Sequence, residues 1–139
     1  MAGSEIRKHY FQENYVIIAP SRDQRPDAFF NKSQPHIIPD QHCPFDHNTE
    51  PAVWQHPSGP TPRVKVIRNA FPALSPDNSA AYGVQEVIIN TPVHDEEFSD
   101  LSVAHIIEVF TAYRMRLVAL SKLEGIRYVL VFKNDGPSA

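Results

Sequence analysis

Thirteen prolines in 139 residues, most of them between Pro20 and Pro76, limit what this chain can fold into. Proline has no backbone amide hydrogen, so it interrupts helices and is kept out of central strands. The stretch from Ser21 to Pro62 therefore reads as long loops between short strands. Loops of that length inside a compact domain are usually functional or disordered. A chain of 139 residues can enclose one core and is too short for two. The expectation is a single domain over residues 1–139.

Regular structure is expected on either side of the proline-rich stretch and within its gaps. Tyr15–Ala19 is a short apolar run stopped by Pro20 and predicts a strand. Arg63–Arg68 alternates as a half-buried strand does. Glu86–Asn90 predicts a third strand, closed by Thr91-Pro92. One long helix is expected from about Val103 to Lys122. Val103, Ile106, Ile107, Phe110, Tyr113, Leu117 and Leu120 recur at helical spacing and define an apolar stripe. Ser102 can cap its first turn, Arg114, Arg116 and Lys122 suit its C-terminal end, and Gly125 is a stop signal. Ile126–Phe132 then reads as a buried strand running into the turn Lys133–Gly136. These elements predict an α+β domain with a mostly antiparallel sheet. Periodicity alone leaves open a parallel crossover through the helix.

Composition narrows the partners. A formal charge of −3 and the lack of a basic face argue against nucleic acid and against an anionic membrane. Cys43 is the one cysteine, so no internal disulfide is needed. Met1 to Arg7 is polar and unlike a signal peptide. No run approaches the ~20 apolar residues of a membrane span. Cytoplasmic residence is the default expectation.

Two groups of residues carry candidate chemistry. Cys43-Pro-Phe-Asp46-His47 places a thiol, a carboxylate and an imidazole on one tight loop, donors that zinc accepts. The same spacing also suits a buried cysteine beside a surface histidine. His94, just past the third strand, is either a further ligand or a loop histidine beside Asp95. His105 is expected on the surface of the helix. Arg22 and Arg25 stand three apart beyond the first strand, and guanidinium groups match phosphate oxygens in pairs. Solvated arginines near Asp23 and Asp27 are the alternative. Asn69 and Asn134 each follow a strand and read either as turn residues or as ligand-facing amides. Phe71 reads as core.

In chain order, Tyr15–Pro20, Arg22-x-x-Arg25-Pro26, Cys43-Pro-Phe45, Val66–Leu74, Gly83-x-x-Glu86 through Thr91-Pro-x-His94, and Val131-Phe-Lys-Asn134-x-Gly136 form a series. That series resembles the N-terminal domain of the galactose-1-phosphate uridylyltransferase family, from about Glu5 to Gly136. No one of these motifs is specific alone; six in order are.

The resemblance implies a histidine-triad-like half-barrel of antiparallel strands with one long helix packed on it, incomplete at the C-terminus. It implies a nucleotidyltransferase that moves a nucleoside monophosphate, UMP in the family's namesake, between a nucleotide sugar and a hexose 1-phosphate. The transfer runs through a nucleotidyl-histidine, which divides one hard displacement into two easier ones. Arg22 and Arg25 would contact phosphates. Asn69, the Ala70 backbone and Asn134 would bind the nucleoside. Cys43 and His94 would be zinc ligands. Asp46 stands where the family has the second cysteine of a Cys-x-x-Cys pair, so Asp46 or His47 would have to replace it. The resemblance puts the His-x-His motif that holds the nucleophile beyond Ala139. The 139 residues are therefore expected to be a truncated N-terminal domain without activity of its own. A non-catalytic nucleotide-binding module and a degenerate structural relative are the alternatives. The family also implies a possible homodimer.

Overall fold

The computed structural model describes residues 3–24, 43, 45, 48–57 and 61–133. Two antiparallel sheets and one long helix make up the domain. Strands β1 (Glu5–Lys8) and β2 (Tyr15–Ile18) form a hairpin with Glu5 opposite Ile18 and Lys8 opposite Tyr15. Strands β3 (Trp54–Gln55), β4 (Lys65–Arg68) and β5 (Glu86–Ile89) form the second sheet in that order. Its registers pair Trp54 with Val66, and Val66 with Ile88. The architecture is α+β with antiparallel sheets and no closed barrel among the described residues, as expected.

Helix α1 spans Val103–Ser121, close to the predicted bounds. The Ser102 hydroxyl accepts from the His105 amide at 3.3 Å, satisfying one otherwise open donor of the first turn. The helix lies on the three-stranded sheet. Val64, Val66, Leu101, Val109 and Ala112 form the buried cluster, flanked by Trp54, Ile88, Phe98, Ile106 and Tyr113. Val66 and Ile67 point to opposite faces of β4 and are both buried, so the middle strand is covered on both sides.

Polar links also join the helix to the sheet. Arg116 donates to both carboxylate oxygens of Glu86 at 2.8 and 2.7 Å, joining α1 to the start of β5. Arg63 grips Glu108 from the approach to β4. His105 Nε2 donates to the Asn90 carbonyl at 2.8 Å, just past the end of β5.

Three expectations are corrected. His105 is buried, because its ring reaches the open carbonyl at the strand end. The predicted apolar stripe meets the core only in part, through Ile106 and Tyr113. Val103, Ile107, Phe110 and Leu117 are exposed, and the helix turns His105, Glu108, Val109 and Ala112 to the sheet. The ion pairs Arg116–Glu86 and Arg63–Glu108 lie on that same inward side. Finally, Ile126–Phe132 is not a strand. A strand exists only through hydrogen bonds to a neighbour, and none of the described strands pairs with this segment. Tyr128 and Phe132 are accordingly exposed. Phe71, expected in the core, sits at the boundary of exposure. Strands β1 and β3 were not expected. Among the described residues no helix is long and apolar enough to cross a membrane.

Candidate functional site

Beyond the end of β5 the chain makes a tight turn that carries His94. The Thr91 hydroxyl accepts from the Val93 amide at 3.2 Å and donates to the Glu96 carboxylate. The Glu96 amide donates to the His94 carbonyl at 2.6 Å. Glu97 and Asp100 then cap the short 3-10 turn Phe98–Asp100 with reciprocal bonds. These contacts close the chain on itself around His94, just beyond the point where Pro92 prevents β5 from continuing.

This turn borders a cleft of about 340 Å³. Cys43 and His94 both line it, with Asn90, Thr91, Glu96 and Lys133. Residues 51 apart in sequence thus meet on one concave surface. Lys65 Nζ donates to the carbonyl and to the side-chain oxygen of Asn48, each at 3.2 Å. The Asn48 amide in turn reaches the Phe45 carbonyl at 3.4 Å. Cys43 is buried and His94 half-buried, with Nε2 3.7 Å from the exposed Asp95 carboxylate. Asp46 and His47 lie outside the described residues. Among the described residues no three of His, Cys, Asp and Glu gather as a metal cage.

A second grouping lies around the loop after β4. The Asn69 amide bonds the Gln85 carbonyl at 3.1 Å, extending the β4–β5 pairing by one step. The Asn69 side-chain oxygen accepts from the Phe71 amide at 2.9 Å, an asparagine turn closed on its own backbone. Gln85 also caps the Ala73 amide. Arg22, on the 3-10 turn Pro20–Gln24, donates Nη1 to the Phe71 carbonyl at 3.4 Å. Arg22 therefore reaches the turn formed by Asn69, Ala70 and Phe71, although Arg22 and Asn69 are 47 positions apart in sequence. Ala70 is exposed. Arg25 and Asn134 lie outside the described residues. Lys133, immediately before Asn134, lines the cleft of Cys43 and His94.

Chemically, the Asn69 oxygen is committed to the turn. A ligand at this position would meet the amide NH₂, a donor only. Sequence reasoning missed Thr91 and Lys133. Thr91 was visible only as part of a strand stop, and Lys133 only as a turn residue.

Residues 77–138 match the family profile described as galactose-1-phosphate uridyl transferase, N-terminal domain. An ADP-glucose phosphorylase of Arabidopsis thaliana is 31% identical over 155 aligned positions, covering 97% of this chain. The chain belongs to the galactose-1-phosphate uridylyltransferase family. The fold agrees. The crystal structure of an Arabidopsis thaliana ADP-glucose phosphorylase with bound ADP-glucose superposes with a TM-score of 0.56 at 27% identity. That match covers 91% of this chain and 41% of the other. A GalT-like protein from Arabidopsis thaliana gives the same TM-score at 26% identity, with 91% and 39% covered. The chain spans 44% of the length of the curated relative.

Proposed function

We propose that this chain is the nucleotide-sugar-binding part of a nucleotidyltransferase that moves a nucleoside monophosphate between a nucleotide sugar and a phosphate-bearing acceptor. The observation that carries this reading is the likeness to an ADP-glucose phosphorylase across 97% of the chain. The contact between Arg22 and the Asn69–Phe71 turn supports it, because it sets a phosphate-type donor beside a nucleoside-type donor. The acceptor is either a hexose 1-phosphate, as the family name implies, or inorganic phosphate, as in a phosphorylase. The relatives favour adenine over uracil as the base, so ADP-glucose is the first ligand to try and UDP-glucose the comparison.

In this reading Arg22 and Arg25 bind the diphosphate and hold its α-phosphorus in place. Asn69, Ala70 and Asn134 orient the nucleoside. The attacking imidazole forms a bond to that phosphorus while the sugar phosphate departs with the bridging electron pair. The acceptor phosphate then reverses the step. Cys43 and His94 would hold zinc together with Asp46 or His47. Its chemistry would be structural, tying the Cys43 loop to the turn after β5.

The Asn69→Asp variant separates ligand binding from folding. Aspartate keeps the oxygen that accepts from the Phe71 amide and removes the NH₂ donor. Thermal stability is expected to stay within about 0.5 kcal/mol of the parent. ADP-glucose affinity, by calorimetry, is expected to fall by about 0.5–1.5 kcal/mol or more, because a hydrogen bond is lost near an anionic ligand. Unchanged affinity would remove Asn69 from the site.

Zinc retention is a separate test. Structural zinc sites close with four ligands, and Cys43 and His94 supply two. The 139-residue chain is expected to carry well under one zinc after prolonged dialysis, by elemental analysis, and Cys43→Ala less still. One zinc per chain that survives dialysis would instead make Asp46 and His47 full replacement ligands.

A further inference from the structure

His105 and Glu108 are the two polar residues buried among the described ones. Glu108 answers Arg63. His105, the third residue of α1, instead reaches from the helix to the sheet, where its Nε2 donates to the Asn90 carbonyl at 2.8 Å. Asn90 is the first residue beyond β5, whose last register pair is Ile89 with Lys65. The ring therefore takes over where the ladder stops. Asn90 lines the cleft, yet its side-chain Oδ1 is buried with no hydrogen-bond partner. That acceptor holds nothing in place, and the tie to Asn90 runs through its main chain.

We infer that His105 is a positioning residue of the cleft. By holding the Asn90 carbonyl it sets where the chain leaves β5, and with that where Asn90 and His94 stand on the cleft wall. The bonds of Thr91, Val93 and Glu96 shape the turn around His94 from within and do not attach it to the helix. At the exit of the turn Phe98 and Leu101 pack on the core. At its entry the bond from His105 reaches Asn90. An imidazole suits this post. An aliphatic side chain would leave a carbonyl at the strand end without its donor. A lysine or arginine would bring a full charge into a buried position. The ring supplies one N–H at the required reach. The role given to His94 rests on the function proposed above; its placement does not, and can be measured with no ligand present.

His105→Gln and His105→Leu in the 139-residue chain separate positioning from packing. Both remove the ring, and only glutamine keeps an N–H that can reach the Asn90 carbonyl. The helix cap survives in both, because the Ser102 hydroxyl accepts from the main-chain amide of residue 105. Two NMR readouts report the turn: the ring resonances of His94, and solvent exchange of the Glu96 amide, which donates to the His94 carbonyl. In His105→Leu the His94 resonances are expected to move and the Glu96 amide to exchange at least about tenfold faster, as local opening does. In His105→Gln both should return to the parent values. A purely structural histidine would lower Tm and speed exchange throughout β4 and β5 while leaving the turn as it is. His105→Asn, whose amide is one bond too short to reach, gives the same reading if the leucine variant does not fold. Turn signals that are alike in the glutamine and leucine (or asparagine) variants overturn the proposal. So does a folded glutamine variant in which His94 is displaced.

Discussion

A polypeptide of these 139 residues, given ADP-glucose and inorganic phosphate, is expected to release no glucose 1-phosphate above a protein-free control. The proposed reaction needs an imidazole that attacks the α-phosphorus. The family resemblance places it after the segment ending at Gly136, and none of the seven histidines in the sequence occupies that place. His105 is buried against the Asn90 carbonyl, and His94 lines the cleft of Cys43. The remaining groups bind and position. In the best-measured case of a removed nucleophile, positioning groups alone leave a rate lower by about 10⁶-fold. The matched measurement is ligand binding by the same preparation. Retained ADP-glucose affinity with no turnover fits a binding part of a nucleotidyltransferase. Phosphate-dependent turnover would mean that another side chain accepts the nucleotidyl group, and the histidine assignment would fail.

Local chemistry was legible wherever one segment decides its own conformation. The run stopped by Pro20, the strand closed by Thr91-Pro92 and the helix opened by Ser102 all stand within a residue or two of their expected bounds. What the sequence hid depends on partners. Ile126–Phe132 has the composition of a buried strand, yet no neighbour among the described strands pairs with it. Trp54–Gln55 is a strand only because Val66 and Lys65 lie beside it. The rotation of α1 was hidden for a related reason. Hydrophobic spacing finds an apolar stripe but cannot say which part of it meets the sheet; Ile106 and Tyr113 do, while Val103, Ile107, Phe110 and Leu117 stay exposed. Arg116 and Glu108 lie on the inward side too, paired with Glu86 and Arg63, partners that helical spacing does not reveal. For the site, residue types were readable and proximity was not. Cys43 and His94 share a cleft, and Arg22 reaches the Asn69 turn, through tertiary contacts that no spacing rule contains.

Replacing Arg116 by Met is expected to destabilise the domain by about 3–5 kcal/mol, the cost typical of removing one partner from a buried pair. The geometry makes this pair a strong case. Two parallel N–H···O bonds of 2.8 and 2.7 Å join Arg116 to Glu86, and the side chains are 15% and 7% exposed. Methionine preserves much of the stem volume, so the loss comes from the carboxylate left without its donors rather than from a cavity. Against a total of about 5–15 kcal/mol for a domain, that is a large fraction. A fall in Tm on the order of 10–20 °C follows for a chain of this size. The double variant Glu86→Met/Arg116→Met removes the stranded charge as well and should recover most of the loss, since an apolar pair of similar volume can replace a buried ion pair at little cost. Denaturant unfolding of the two singles and the double forms a complete cycle. A single-variant loss below about 1 kcal/mol would show the pair to behave as a solvated one, and the bridge would then not be what holds α1 on β5. The consequence reaches the site, because Glu86 opens the strand whose other end presents Asn90, Thr91 and His94 to the cleft. In the double variant, stability should return with the cleft residues still in place. ADP-glucose binding should therefore recover together with Tm.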